Sequence, residues 1–213
     1  MTNVLIISVV IVSGYLIGSI PFGLFIGMFN GVDVRRYGSG NIGATNISRV
    51  IGRNWGITCF VLDFCKGLLP VLIVSLIFRE NNTVMSDIAP LAAAGAAIAG
   101  HICPVFLKFR GGKGMSTSLG ALLALSPPAV LLAMAGWYII FTLWRYVSLA
   151  SIFAALLLPV GELMGASLLN KEAEIPKMAF LILICAIVIW RHKSNIKRLL
   201  EGRENRFVKE KTE

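Results

Sequence analysis

The residues best suited to chemistry lie between Tyr37 and Arg49, where the chain reads YGSGNIGATNISR. Gly38, Gly40 and Gly43 alternate with Ser39, Asn41, Thr45 and Asn46, and Arg49 closes the run. Glycine lets backbone N–H groups approach a bound group closely, while hydroxyls, amides and a guanidinium donate hydrogen bonds. The set suits a phosphate-like anion. The spacing Gly38-x-Gly40-x-x-Gly43 also matches a dinucleotide fingerprint, but an apolar run precedes it instead of the strand of a βαβ unit, so that reading is set aside. A plainer role, in which the glycines only permit a tight turn, stays open.

Three further polar clusters interrupt apolar sequence. GHICPVFLKFRGGKG, from Gly100 to Gly114, surrounds Lys113 with Gly111, Gly112 and Gly114. It offers an ammonium beside accessible backbone, but it is not a Walker A loop, since Gly114 stands where Ser or Thr is required. RYVSLAS carries Arg145, Ser148 and Ser151, the two serines sharing one helical face by their spacing of three. RHKSNIKRLLEGRENRF, from Arg191 to Phe207, carries His192 and Asn195, also three apart. Each has a plain alternative: Lys113 as a charge anchor, the serines bonding helix carbonyls or a neighbouring span, His192 as an interfacial side chain.

The elements that must position these clusters are membrane helices. Of 213 residues 56% are hydrophobic and only 15% charged, with a mean hydropathy of +0.79. A soluble chain carries about a quarter charged residues. Spanning about 30 Å of hydrocarbon takes roughly 20 helical residues. Val4–Phe29, Trp55–Phe78, Ile88–Leu107, Met115–Ser126, Ala129–Trp144, Val147–Leu169 and Lys177–Trp190 are the seven candidates, and the fourth is short. The first lacks the basic start and small-residue cleavage site of a signal peptide and reads as a retained span. Chain 1–213 is expected to be one membrane-embedded domain with a basic tail over 191–213.

Charge supports that count. Arg35, Arg36, Arg49 and Arg53 fall in the first loop, Lys108, Arg110 and Lys113 in the third, Arg145 in the fifth, and eight Lys or Arg follow Trp190. The alternate loops hold only Arg79, Lys171 and Lys177. Such alternation predicts seven crossings with the N-terminus outside and the C-terminus cytoplasmic. All four polar clusters then share the cytoplasmic face, and the net charge of +9 belongs to that face and to anionic lipid, not to nucleic acid.

Cys59, Cys65, Cys103 and Cys185 lie in or beside apolar runs without a CxxC pair and read as packing residues; no metal site is expected. Asp63 and Lys66 sit mid-span at a spacing that puts them on one face, where they either neutralise each other or line a polar cavity. Glu162 lies within the sixth segment.

Taken together, GSGNIGATN with Arg49, GHICPVFLKFRGGKG, RYVSLASI and RHKSNIKRLLEG resemble the bacterial membrane glycerol-3-phosphate acyltransferases that use acyl phosphate, the PlsY family. The resemblance covers essentially the whole chain with its motifs in order. It implies a seven-helix enzyme of the inner membrane that moves an acyl group from acyl phosphate to the 1-hydroxyl of glycerol 3-phosphate, releasing lysophosphatidic acid and phosphate. It implies no cofactor and no metal, and a cytoplasmic enzyme supplying acyl phosphate as a partner. It assigns Ser39, Gly40, Asn41, Arg49 and Asn195 to the acyl-phosphate head, and Lys113, His192, Ser151 and Thr45 to glycerol 3-phosphate. Gly38, Gly43, Asn46, His101, Gly111, Gly112, Ser148 and Arg145 complete the expected substrate-binding set. The base is either the acceptor's own phosphate or His192.

The residues fit that chemistry. Some glycerolipid acyltransferases work with a His and an Asp five residues on; the residue five after His101 is Phe106. No Ser-His-Asp set or thiol nucleophile replaces it, so the donor must arrive activated. Two other classes remain open on sequence: a transporter of a phosphorylated solute, suggested by Asp63, Lys66 and the short fourth segment, and a membrane scaffold whose tail recruits partners.

Overall fold

The computed structural model describes residues 2–79 and 84–207, and every regular element among them is helical. The chain divides into two compact units, Met1–Leu125 and Ser126–Glu213.

In the first unit, Pro21 interrupts the leading apolar run into α1 (Thr2–Ser19) and α2 (Phe22–Phe29), since proline removes a donor and crowds the preceding turn. A 3-10 turn at Val34–Arg36 and the short α3 (Ala44–Val50) follow, then α4 (Arg53–Ile77), α5 (Val84–Ile102) and α6 (Met115–Leu125). α1 packs on α5, and α4 on α5 and α6. Small residues set these approaches: a Cβ on Gly67 would run into the Thr117 carbonyl, and one on Gly100 into that of Tyr15. Helices in lipid gain by such close contact because lipid offers no hydrophobic reward for it.

The second unit holds α7 (Pro127–Trp144), α8 (Val147–Leu168), α9 (Ile175–Arg191) and α10 (Lys193–Leu200). Pro127 and Pro128 open α7 instead of breaking a helix, with Ser126 accepting from Ala129 N at 3.4 Å as the cap, because proline's fixed φ suits a first turn. α7 packs on α8 and α8 on α9. Ser126 also hydrogen-bonds the buried Glu162, whose other oxygen is 3.5 Å from Lys177 Nζ.

Among the described residues five helical segments are long and apolar enough to cross a membrane, or six when α9 and α10, bent by 55°, are taken as one span. α6 has 11 residues, about 17 Å of helix at 1.5 Å per residue, roughly half a hydrocarbon core. Length therefore carries five or six of the seven expected crossings. Asp63 and Lys66, both 3% exposed at the side chain, form an ion pair at 2.7 Å. Of the two readings open on sequence, mutual neutralisation or a polar cavity, the pairing fits the first.

Candidate functional site

In the first unit the glycine-rich loop is built by its own amides. Gly38 and Gly40 take φ of +60° and +68°, open to glycine at little cost. Asn46, 1% exposed, accepts from Ser39 N at 2.8 Å and donates to Val34 O at 3.0 Å and Tyr37 O at 3.2 Å. Asn41 Oδ1 accepts from Gly43 N at 2.8 Å, and Gly40 N donates to Tyr37 O at 3.0 Å. The cradle of glycine N–H groups expected from the sequence is thus corrected: the Ser39, Gly40 and Gly43 amides bond acceptors within the loop. A polar loop must satisfy its own backbone before it can hold a ligand.

This folding leaves Ser39 and Arg49 exposed, with Thr45 half-buried on α3. Asp33 caps the 3-10 turn that precedes the loop. Its carboxylate accepts from Arg35 Nε at 2.8 Å and Nη2 at 2.9 Å, and chiefly this pairing lowers its pKa from 3.8 to about 2. The loop stands on an apolar base of Leu24, Ile26, Val34, Ile42, Ile47 and Cys59.

The Lys113 segment is tied to α5. Gly111 N donates to Ile102 O and Gly112 N to His101 O, each at 3.1 Å. Lys108 and Phe109 enter it with φ of 51° and 63°, which costs a non-glycine residue about 1–2 kcal/mol. His101 is 4% exposed. Its Nδ1 lies 3.1 Å from Thr117 Oγ1 and 3.6 Å from Asp63 Oδ1, and its Nε2 faces Gly112 so closely that a Cβ there would collide. His101 is therefore a wall behind the loop. Lys113 itself is half-buried and Gly114 turns the chain into α6 at φ +82°.

In the second unit the polar groups converge on a residue that the motifs did not single out. Glu204, with its side chain 6% exposed, accepts from Ser148 Oγ at 2.8 Å, Asn195 Nδ2 at 2.6 Å and Arg198 Nε at 2.7 Å. Burial would raise its pKa, but hydrogen bonds from Asn195, Arg198 and Ser148 outweigh this and hold it below the ordinary 4.5. The tail reaches α8 because Gly202 turns at φ +67° and Phe207 N donates to Arg145 O at 2.8 Å. Arg145, in the left-handed region at φ 61°, lays its guanidinium 5.8 Å from the Phe141 ring centre. Ser151 accepts from Trp137 Nε1 at 3.3 Å.

His192, 2% exposed, sits at the bend between α9 and α10. Its Nδ1 is 2.8 Å from Val188 O. A carbonyl only accepts, so Nδ1 carries the proton, and in the neutral ring Nε2 is the acceptor. That is the tautomer a proton acceptor at Nε2 requires.

Within each unit the structure gathers its sequence-predicted residues: Ser39, Thr45 and Arg49 on one loop and short helix, His101 with Gly111, Gly112 and Lys113, and Ser148 with Asn195. Sequence reading missed Glu204, Arg198, Thr117 and Trp137. The only sequence signal for Glu204 was an acidic residue in a basic tail.

Comparison with known proteins agrees with the motifs. Residues 8–202 match the family model described as glycerol-3-phosphate acyltransferase. The glycerol-3-phosphate acyltransferase of Desulforamulus reducens is 43% identical over 204 residues, covering 95% of this chain and 96% of the relative. That of Aquifex aeolicus is 42% identical over 197 residues, covering 92% and 97%. The fold is similar to crystal structures of PlsY, an integral membrane glycerol 3-phosphate acyltransferase, at 40% identity. Its glycerol 3-phosphate form gives a TM-score of 0.84, covering 95% of this chain and 96% of that one, and its lysophosphatidic acid form 0.82, covering 95% of each.

Proposed function

The chain belongs to the glycerol-3-phosphate acyltransferase family, and we propose that it transfers the acyl group of acyl phosphate to the 1-hydroxyl of glycerol 3-phosphate. The observation that carries the choice of donor is the position of His101. The histidine that would head a His–Asp catalytic pair is buried against Gly112, with Phe106 where the aspartate would stand. An enzyme that lacks this motif is suited to a donor whose leaving group departs readily, and acyl phosphate, a mixed anhydride, is one.

In the reaction the hydroxyl oxygen attacks the acyl carbon, the bond from that carbon to the phosphate oxygen breaks, and inorganic phosphate leaves. The hydroxyl proton passes to the acceptor's own phosphate or to His192 Nε2. Two phosphates repel, so the protein's work is to neutralise and place them, with the hydroxyl brought to about 3–3.5 Å from the carbon. Arg49 and Ser39 hold the acyl-phosphate head, with Gly40 and Asn41 shaping the backbone beneath it. Lys113 and Thr45 hold glycerol 3-phosphate. Asn195, oriented by Glu204, serves the acyl phosphate, and Ser151 and His192 the acceptor. Asn46, Gly38, Gly43, Gly111, Gly112, His101 and Ser148 set the geometry. We place the enzyme in the bacterial inner membrane with seven crossings, the N-terminus outside, and its polar loops in the cytoplasm beside the source of acyl phosphate.

The test is the product. Purified protein given acyl phosphate and glycerol 3-phosphate should form the 1-acyl ester with one phosphate released per ester. Acylation at the 2-hydroxyl, or ester formed without matching phosphate, would overturn the assignment.

A further inference from the structure

Outside the groups given to substrate, the first unit buries one carboxylate within α4. Asp63 is 2% exposed. Its Oδ1 lies 2.7 Å from Lys66 Nζ and 3.6 Å from His101 Nδ1, and its Oδ2 lies 3.6 Å from Cys59 Sγ. Each neighbour also touches the backbone of a segment that shapes the polar loops. Cys59 Sγ is 3.8 Å from Ile42 O in the glycine-rich loop. Lys66 donates to Ile20 O at 2.8 Å, at the break before α2. His101 backs Gly112, the residue before Lys113, and accepts its N–H at the backbone carbonyl.

One carboxylate thus reaches, through one residue each, the loop around Ile42, the break at Ile20 and the Lys113 loop. Cancelling its charge would need Lys66 alone. An ionised carboxylate only accepts, and Lys66, His101 and Cys59 each bring a group able to donate within 3.6 Å of it. Rigid second contacts of this kind keep binding groups within the narrow tolerance that catalysis demands.

We propose that Asp63 is a positioning residue for the acyl transfer, fixing the Lys113 loop through His101 and the glycine-rich loop through Cys59. This rests on the reading in which Lys113 binds glycerol 3-phosphate. Asp63→Asn keeps the side chain's size but turns one oxygen into a donor facing donors. His101 then keeps Thr117 Oγ1, 3.1 Å from its Nδ1, but loses the carboxylate charge that holds the ring behind Gly112.

The test uses the full chain in proteoliposomes, with membrane insertion and thermal unfolding followed beside kinetics. Asp63→Asn should raise KM for glycerol 3-phosphate about tenfold with a smaller change in kcat, the pattern of lost binding. His101→Leu should do the same, and the double variant should be no worse than the poorer single, as for residues acting in one chain. His101→Asn, whose Nδ2 stands near the place of Nδ1, should return KM to within about threefold of the parent. Asp63→Asn with Lys66→Met, which removes both charges, should leave KM raised.

Parental KM in that neutral pair would show that the carboxylate only balances Lys66 and would overturn the proposal; so would additive effects in the double variant. If Asp63→Asn does not accumulate, equal KM values in His101→Leu and His101→Asn overturn it. Lys113→Ala separates the two levels. A normal KM there sinks the reading beneath, whereas a raised KM there with a normal one in Asp63→Asn sinks this inference alone.

Discussion

Between Val34 and Val50, in the first unit, amide side chains turn inward: Asn46 and Asn41 bond the loop's own backbone, and the cation Arg49 is left at the surface. In the second unit the polar side chains do the reverse. Ser148, Asn195 and Arg198 all point at one anion, the Glu204 carboxylate. The first arrangement uses amides to fold a loop, with Ser39 and Arg49 on its exposed surface. The second uses an internal carboxylate to order donors of the kind that phosphate binding employs. A motif rich in Asn and Gly is therefore not a roster of ligand contacts. Which groups meet substrate depends on which have already found an acceptor.

The comparison breaks first at the cations. Arg49→Ala and Lys113→Ala should each lower kcat/KM roughly a hundredfold or more, since each removes a charge-assisted contact to phosphate worth a few kcal/mol. Both should still insert in the membrane, because the apolar helices are unchanged. Near-parental kcat/KM in either removes that residue from the site.

Next comes the loop's internal scaffold. Gly38→Ala places a Cβ against Asn46 Oδ1 at a backbone of φ +60°, so activity should fall about tenfold through displacement of Ser39. If Gly38→Ala matches the parent in kcat/KM, the inward amides do not set the loop.

Glu204→Gln tests the second arrangement. It should cost roughly 1–3 kcal/mol of stability by removing charge-assisted bonds to Asn195, Arg198 and Ser148. Because Glu204 titrates below 4.5 in the folded chain, its contribution is complete above that value and is lost as pH falls through the lower folded one. The parent's thermal midpoint should drop more steeply with acid than that of Glu204→Gln; parallel curves would mean that the carboxylate orders nothing. The smallest effect belongs to Arg36→Ala, an exposed side chain 3.6 Å from Asp33, where activity should stay within about twofold, as for most surface ion pairs.

Much of this was legible in the sequence. The alternation of Arg and Lys among apolar segments marked the loops that carry the polar clusters, and the 11 residues of α6 match the short fourth segment. The glycines flanking Lys113 marked its loop. What stayed hidden was the destination of each donor. Nothing in GSGNIGATN says that Asn46 turns back to Val34 O, and the return of Glu204 depends on a contact between Phe207 and Arg145, 62 positions apart by number. The Asp63–Lys66 spacing was visible, but not that His101, on another helix, shares the carboxylate. The fifth segment starts at Pro127 and not at Ala129, because Ser126 caps a helix that the two prolines open. Sequence gives residue types and periodicity; long-range partners come only with packing.

Donor choice is the point on which the account stands most directly. Purified protein in liposomes, with glycerol 3-phosphate saturating, should be offered acyl phosphate and the matching acyl-CoA in parallel. Lysophosphatidate formed from acyl phosphate, with none from acyl-CoA, is the result expected of a chain with Phe106 five residues after His101 in place of an aspartate. Turnover with acyl-CoA and none with acyl phosphate would contradict it.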